Sequence, residues 1–272
     1  MFEVGFIKRL DELGILKTVN AAVGVSVGAL NVALIGKYRD NWNEAIKVCL
    51  KIKSNKDIYD REINIPTAIW QGVCGSQSIL DPKGLYKILN TEFMDMKFNN
   101  FVIPVYVCAT ELEEKTHIDG GWGLNFPIKA SLELQPDKLI NLGCSPDMSK
   151  SVFKVFSGED NVIKSLVASA GVPILFPPMI EDGVKKKSFI NYAIRLAQVT
   201  QDCFEELDWT MLDLFLKLNE YQGKKIKVID GYPKVALGHS FLDFSHVEED
   251  INKGYEFAKD TLPPEVIEAF LR

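Results

Sequence analysis

One serine stands between two glycines in Gly24-Val25-Ser26-Val27-Gly28, just after the apolar run Ala21-Ala22-Val23 and just before Ala29-Leu30-Asn31. Where a strand turns sharply into a helix, the serine at the turn is held in a strained backbone conformation, and a side chain at Gly24 or Gly28 would crowd it. The pattern predicts a nucleophile elbow, with Ser26 presented at the carboxyl end of a strand. The helix that follows, from roughly Gly28 to Ile35, would aim its free amides and positive dipole end at the serine oxygen. A chance match in a loop is the competing reading, and the flanking strand and helix signals count against it.

The rest of the chain alternates elements. Phe2, Phe6, Leu10 and Leu13 recur at helical spacing with Ile7 beside them, and Gly14 stands where a helix would stop. A second helix is expected near Trp42 to Ile52, followed by a less regular region with the turn signals Asp81-Pro82-Lys83-Gly84. Val102 to Ala109 is an apolar, β-branched run of strand length, with Pro104 expected at its start or edge. Lys138 to Leu142 and Lys225 to Ile229 are further strand candidates, and Phe189 to Gln222 carries long helical patterns broken around Cys203 to Trp209. Strands separated by helices predict an α/β fold with a mainly parallel central sheet covered on both faces.

Composition narrows the function classes. The chain has 272 residues, 47% of them hydrophobic and 25% charged, which suits one large domain with a sizeable core. A net charge of −6 gives no basic surface for nucleic acid, and Lys185-Lys186-Lys187 reads as a solvated loop. Five cysteines, at 49, 74, 108, 144 and 203, are odd in number and contain no Cys-x-x-Cys pair, so neither a disulfide framework nor a zinc site is indicated. With no bilayer-spanning apolar run and no secretory leader, the expectation is a cytoplasmic protein whose membrane contact is at most peripheral.

A serine hydroxyl is a poor nucleophile until a base takes its proton. Three histidines are available. His117 lies two residues before Asp119, while His239 and His246 lie late in the chain, in the order an α/β-hydrolase triad would need. Asp119-Gly120-Gly121 is the stronger acidic candidate, because two glycines let the backbone turn directly after the carboxylate and let another segment approach. Asp-Gly is also ordinary turn chemistry.

Several segments together resemble the patatin-like phospholipase family across nearly the whole chain. They are Phe2-Glu3-Val4-Gly5 through Leu13-Gly14-Ile15, the serine motif with Ala29-Leu30-Asn31, and Val105-Tyr106-Val107-Cys108-Ala109-Thr110-Glu111-Leu112. To these add Ala168-Ser169-Ala170-Gly171-Val172-Pro173 with Phe176-Pro177-Pro178, Asp119-Gly120-Gly121 with Asn125-Phe126-Pro127-Ile128, and Leu242-Asp243-Phe244-Ser245 with Gly254-Tyr255. The resemblance implies a three-layer α/β/α domain over residues 1–272 and a Ser-Asp dyad without a metal or other cofactor. Ser26 would attack an ester carbonyl, with Asp119 as base, giving an acyl-enzyme that water hydrolyses. A carboxylate with its ordinary pKa is a weak base at neutral pH, so the dyad needs apolar surroundings, such as Ile118, Trp122 and Phe126, or a late proton transfer. Ile174-Leu175-Phe176 is a candidate lining of an acyl groove, with plain core packing as the alternative.

Two departures from the family pattern stand out. The family's N-terminal strand and glycine-rich oxyanion loop, which would precede the helix at Phe2, are absent, so the domain reads as N-terminally incomplete and Val27 N–H is the oxyanion donor that can be named. The segments around Asp119 and Ala168 also occur in transposed order, with seams near Thr116, Lys150 and Lys187. Three functions follow as expectations: a lipid acyl hydrolase, a catalytically impaired lipid- or acyl-binding relative, and a hydrolase of small esters or thioesters that recruits a histidine.

Overall fold

The structure, a computed structural model, describes residues 1–59, 78, 80–113, 116–119, 128–142, 154–170, 178–180, 226–231 and 243–272. Within them the helical spacing at the start of the chain becomes helix α1 (Phe2–Glu12), which buries Phe2, Phe6, Ile7 and Leu10. Gly14 takes φ 75° just beyond its end and donates its N–H to the Asp11 carbonyl at 2.9 Å, so the helix stops where a residue without Cβ can turn it.

Strand β1 (Ala22–Val25) leads into helix α2 (Val27–Tyr38), and α3 (Trp42–Cys49) follows. Helix α4 (Lys83–Phe93) occupies what the turn signals had marked as irregular. The reason is local: Pro82 sits at its N-cap with φ −80°, and Leu85, Leu89 and Phe93, one helical turn apart, are buried. The long helical patterns expected at Phe189 to Gln222 lie outside the described residues.

Strand β2 (Val105–Glu113) starts immediately after Pro104, whose carbonyl accepts the Ala22 N–H at 3.0 Å. Two residues later the chain returns as β3 (Thr116–Asp119), and α5 (Ile128–Glu133), β4 (Lys138–Leu142), β5 (Lys154–Phe156), α6 (Val162–Ser169), β6 (Met179–Ile180) and β7 (Lys227–Gly231) follow. The chain closes with α7 (Val247–Thr261) and α8 (Pro264–Leu271).

The protein is a mixed α/β structure, and the expectation of a mainly parallel sheet is corrected for the described strands. β1 pairs with β2 in parallel, but β3 and β5 pair with β2 antiparallel, and β6 pairs antiparallel with β3. For β2 and β3 the physical reason is the short connection between Glu113 and Thr116, which can join only antiparallel neighbours, whereas a parallel pair needs a crossover of a dozen or more residues. β4 and β7 form a separate parallel pair.

β2 carries neighbours on both edges. Val107 faces Gly24 on one side and Phe156 on the other, and Ala109 faces both Asp119 and Lys154. β5 therefore takes one edge, and β1 and β3 share the other, lying end to end. β1 finishes with Val25 opposite Cys108, and β3 finishes, from the opposite direction, with Asp119 opposite Ala109. Their ends are one residue step apart along β2, about 3.3 Å.

Helices α1 and α7 close one side of the core backbone to backbone. A Cβ on Gly5 would lie 1.8 Å from the Ile251 carbonyl oxygen, and one on Gly254 would lie 1.8 Å from that of Phe2. Around this contact Phe257 packs on Phe2 and Phe6, with ring centroids 5.4 and 6.2 Å apart. Gly254→Ala must push two helices apart, and we expect a loss of about 2 kcal/mol or more, measured by urea unfolding.

Candidate active site

The short β1 strand delivers Ser26 to the junction between β1 and α2. Its backbone sits at φ 52°, ψ −127°, a conformation sparsely populated by residues with a Cβ, at a cost of about 1–3 kcal/mol. Gly24 makes the turn sterically feasible, because a Cβ there would lie 2.4 Å from the Gly28 carbonyl oxygen and 2.7 Å from Val32 Cγ2. Gly28 does not behave as expected: among the described residues, a Cβ added to it meets nothing within 4 Å. It borders open space beside the serine, and the crowding at the turn comes from its carbonyl. Val27 is the first residue of α2, where a helix amide has no carbonyl from a preceding turn to bond.

The hairpin brings Asp119 to the same place. Ser26 Oγ donates to Asp119 Oδ2 at 2.7 Å, across 93 residues of chain. Asp119 is 5% exposed, and its neighbour Ile118 is fully buried. Gly120, Gly121, Trp122, Phe126, His239 and the segment Ile174 to Phe176 lie outside the described residues. His117 is buried on β3 with its ring 5.6 Å from that of Phe156. His246 stands on the surface at the start of α7, with Nδ1 3.1 Å from Glu249 Oε2 and Nε2 3.6 Å from Asp243 Oδ2. Among the described residues, the side chain that accepts a hydrogen bond from the Ser26 hydroxyl is that of Asp119.

A residue from the Ala168 segment also arrives. Ser169, the last residue of α6 and completely buried, accepts the Ser26 N–H on its Oγ at 2.9 Å and donates its own proton to the Cys108 carbonyl. Sequence reasoning singled out Ala168-Ser169 as a motif but gave Ser169 no place in the site, since only the fold brings it within reach of residue 26.

Beside Ser26 opens a groove of about 750 Å³. β1 and the start of α2 form one wall, α1 contributes Ile7 and Leu10, and β4 contributes Leu139 and Ile140. The lining is mixed, with Thr18, Ser131, Gln135 and Lys138 beside the aliphatic side chains, and within it Asn31 Nδ2 donates to the buried Glu3 carboxyl. Burial pushes the Glu3 carboxyl above the usual carboxylate range despite that bond. Cys108, under the serine turn, is a buried thiol pushed up to about 12 by desolvation, which makes it inert. No group of three or more metal-ligating side chains occurs among the described residues.

Residues 1–108 match the family model for patatin-like phospholipase. This stretch is patatin-like. It contains α1, β1, the Ser26 turn and the first part of β2, and the family it matches is one of lipid acyl hydrolases. The match stops before Asp119 and Ser169, so the contacts these two make with the patatin-like serine rest on geometry alone. No curated protein matches the chain.

Two expectations test this geometry. Gly24→Ala should cost about 1–3 kcal/mol or prevent folding, whereas Gly28→Ala should be neutral to slightly stabilising, because alanine is the better helix former and has room; thermal unfolding separates them. The Glu3 carboxyl binds its proton more tightly in the folded state than in the unfolded chain. Its contribution to stability is therefore fully present below the ordinary glutamate pKa and is lost as pH rises through the higher folded value. Glu3→Gln, which has no proton to lose, should match the wild type near about pH 4 and exceed it increasingly toward pH 8 in urea unfolding.

Proposed function

We propose that the chain is a serine acyl hydrolase acting on lipid esters, as a phospholipase A, lysophospholipase or lipid esterase, through a Ser26–Asp119 dyad. The observation that carries this reading is the 2.7 Å hydrogen bond from Ser26 Oγ to Asp119 Oδ2, at a serine held at positive φ on a strand-to-helix turn. Asp119 takes the hydroxyl proton as Oγ attacks the ester carbonyl, and the oxyanion forms beside the start of α2, where Val27 N–H is the donor. Asp119 then returns the proton to the leaving alcohol. In the second half Asp119 deprotonates a water molecule that attacks the acyl-enzyme, and the proton passes back to Ser26 Oγ as the fatty acid leaves. None of these steps calls for a metal or a cofactor.

The groove supports an acyl substrate, since its volume is in the range of small-molecule sites, about 300–1,000 Å³, and Ile7, Leu10, Leu139 and Ile140 line part of it with aliphatic surface. Among the described residues no helix is long and apolar enough to cross a membrane. We read residues 1–272 as one patatin-like domain with Ser26 at a nucleophile elbow.

Hydrolysis of phospholipid and short-chain esters, together with labelling by a fluorophosphonate, tests the proposal. Ser26→Ala should abolish both, Asp119→Ala should lower turnover by about 10²- to 10⁴-fold, and His246→Ala and His239→Ala should leave it unchanged. Full activity in Asp119→Ala would remove the dyad, and loss of activity in a histidine variant would favour a histidine base. Lipid binding by the wild type without turnover would favour the impaired relative.

A further inference from the structure

We propose that Ser169 is a positioning residue that locks Ser26 in its attacking conformation and dedicates the serine's own amide to that task. This rests on the hydrolase reading for its chemical consequence, but the lock itself stands on geometry. A hydroxyl has one proton and accepting lone pairs. Ser169 donates the proton to the Cys108 carbonyl and accepts the Ser26 N–H at 2.9 Å, so both capacities are used in a fixed direction. Its side chain is completely buried. The two groups it joins belong to neighbouring strands at one level, because Val25, the residue before Ser26, faces Cys108 in the ladder.

The lock acts on the strained torsion. Rotating Ser26 from φ 52° toward negative φ reorients the plane of its N–H and withdraws it from Ser169 Oγ, leaving the amide and the buried Ser169 hydroxyl to find new partners. Asp119 fixes the Ser26 side chain and Ser169 fixes its main chain, from different elements. Because the Ser26 N–H is committed to Ser169, it is withdrawn from oxyanion stabilisation, which falls to Val27 N–H at the start of α2.

Two readouts on Ser169→Ala test this: amide hydrogen exchange at Ser26 and the rate at which a fluorophosphonate labels Ser26. We expect exchange at Ser26 to accelerate at least about tenfold while the β1 amides hold, and labelling to slow by about 10- to 100-fold, the scale of loss from a slightly misplaced reacting group. The pH midpoint of labelling should not move, because Asp119 is untouched. Ser169→Thr, which keeps the hydroxyl, should recover most of both losses. Unchanged Ser26 exchange in folded Ser169→Ala would overturn the lock, and unchanged labelling would overturn its role in positioning. If Ser169→Ala does not fold, Ser169→Cys, close in size but a weak hydrogen-bonding group, is judged by the same criteria. A wild-type protein that resists labelling, yet whose Ser26 protection depends on Ser169, would sink the hydrolase reading and leave the lock standing.

Discussion

The hydrogen-bond ladder along β2 is the constraint on which the candidate site depends. One strand cannot accept two neighbours on the same edge at the same residue, and β5 occupies one edge at Val107 to Ala109. β1 and β3 are thereby confined to the other edge, where they run toward each other and stop. The chain has to leave the sheet at that collision, and the two side chains nearest to it are Ser26 and Asp119. The Ser26 hydroxyl and the Asp119 carboxylate thus meet because two strand ends meet.

The surroundings offset the strain at Ser26 from three directions. Gly24 lets the Gly28 carbonyl come close, Asp119 accepts a hydrogen bond from the hydroxyl, and Ser169 accepts one from the amide. Among the described residues nothing crowds Gly28, which lines the groove. A sparsely populated backbone conformation persists only where its neighbours over-determine it, and here they do so.

Local patterns in the sequence account for the parts of this picture that are decided locally. The spacing of Phe2, Phe6 and Leu10 identifies α1, Gly14 marks its end, and the Gly-x-Ser-x-Gly pattern marks the strand-to-helix turn. The pairing of Asp119 with Ala109 was not legible as an antiparallel return, because Glu113 to Thr116 holds none of the glycine or asparagine that usually announces a hairpin. α4 was hidden for the opposite reason: its proline and glycine are turn residues in isolation and helix-start residues only when Leu85, Leu89 and Phe93 have a core to enter. Ser169 was visible as part of a motif, but its function depends on a contact 143 residues away, which no periodicity encodes.

The two late segments reach the serine by different routes. Asp119 arrives through its own hairpin with β2, and Ser169 arrives on a helix tied to the Cys108 carbonyl. The two moorings are also joined to each other, since α6 packs against β3 and β6, which follows α6, pairs with β3. Cys108 and Ala109 are adjacent on β2, so one residue step of a single strand sets the spacing between the groups that converge on residue 26.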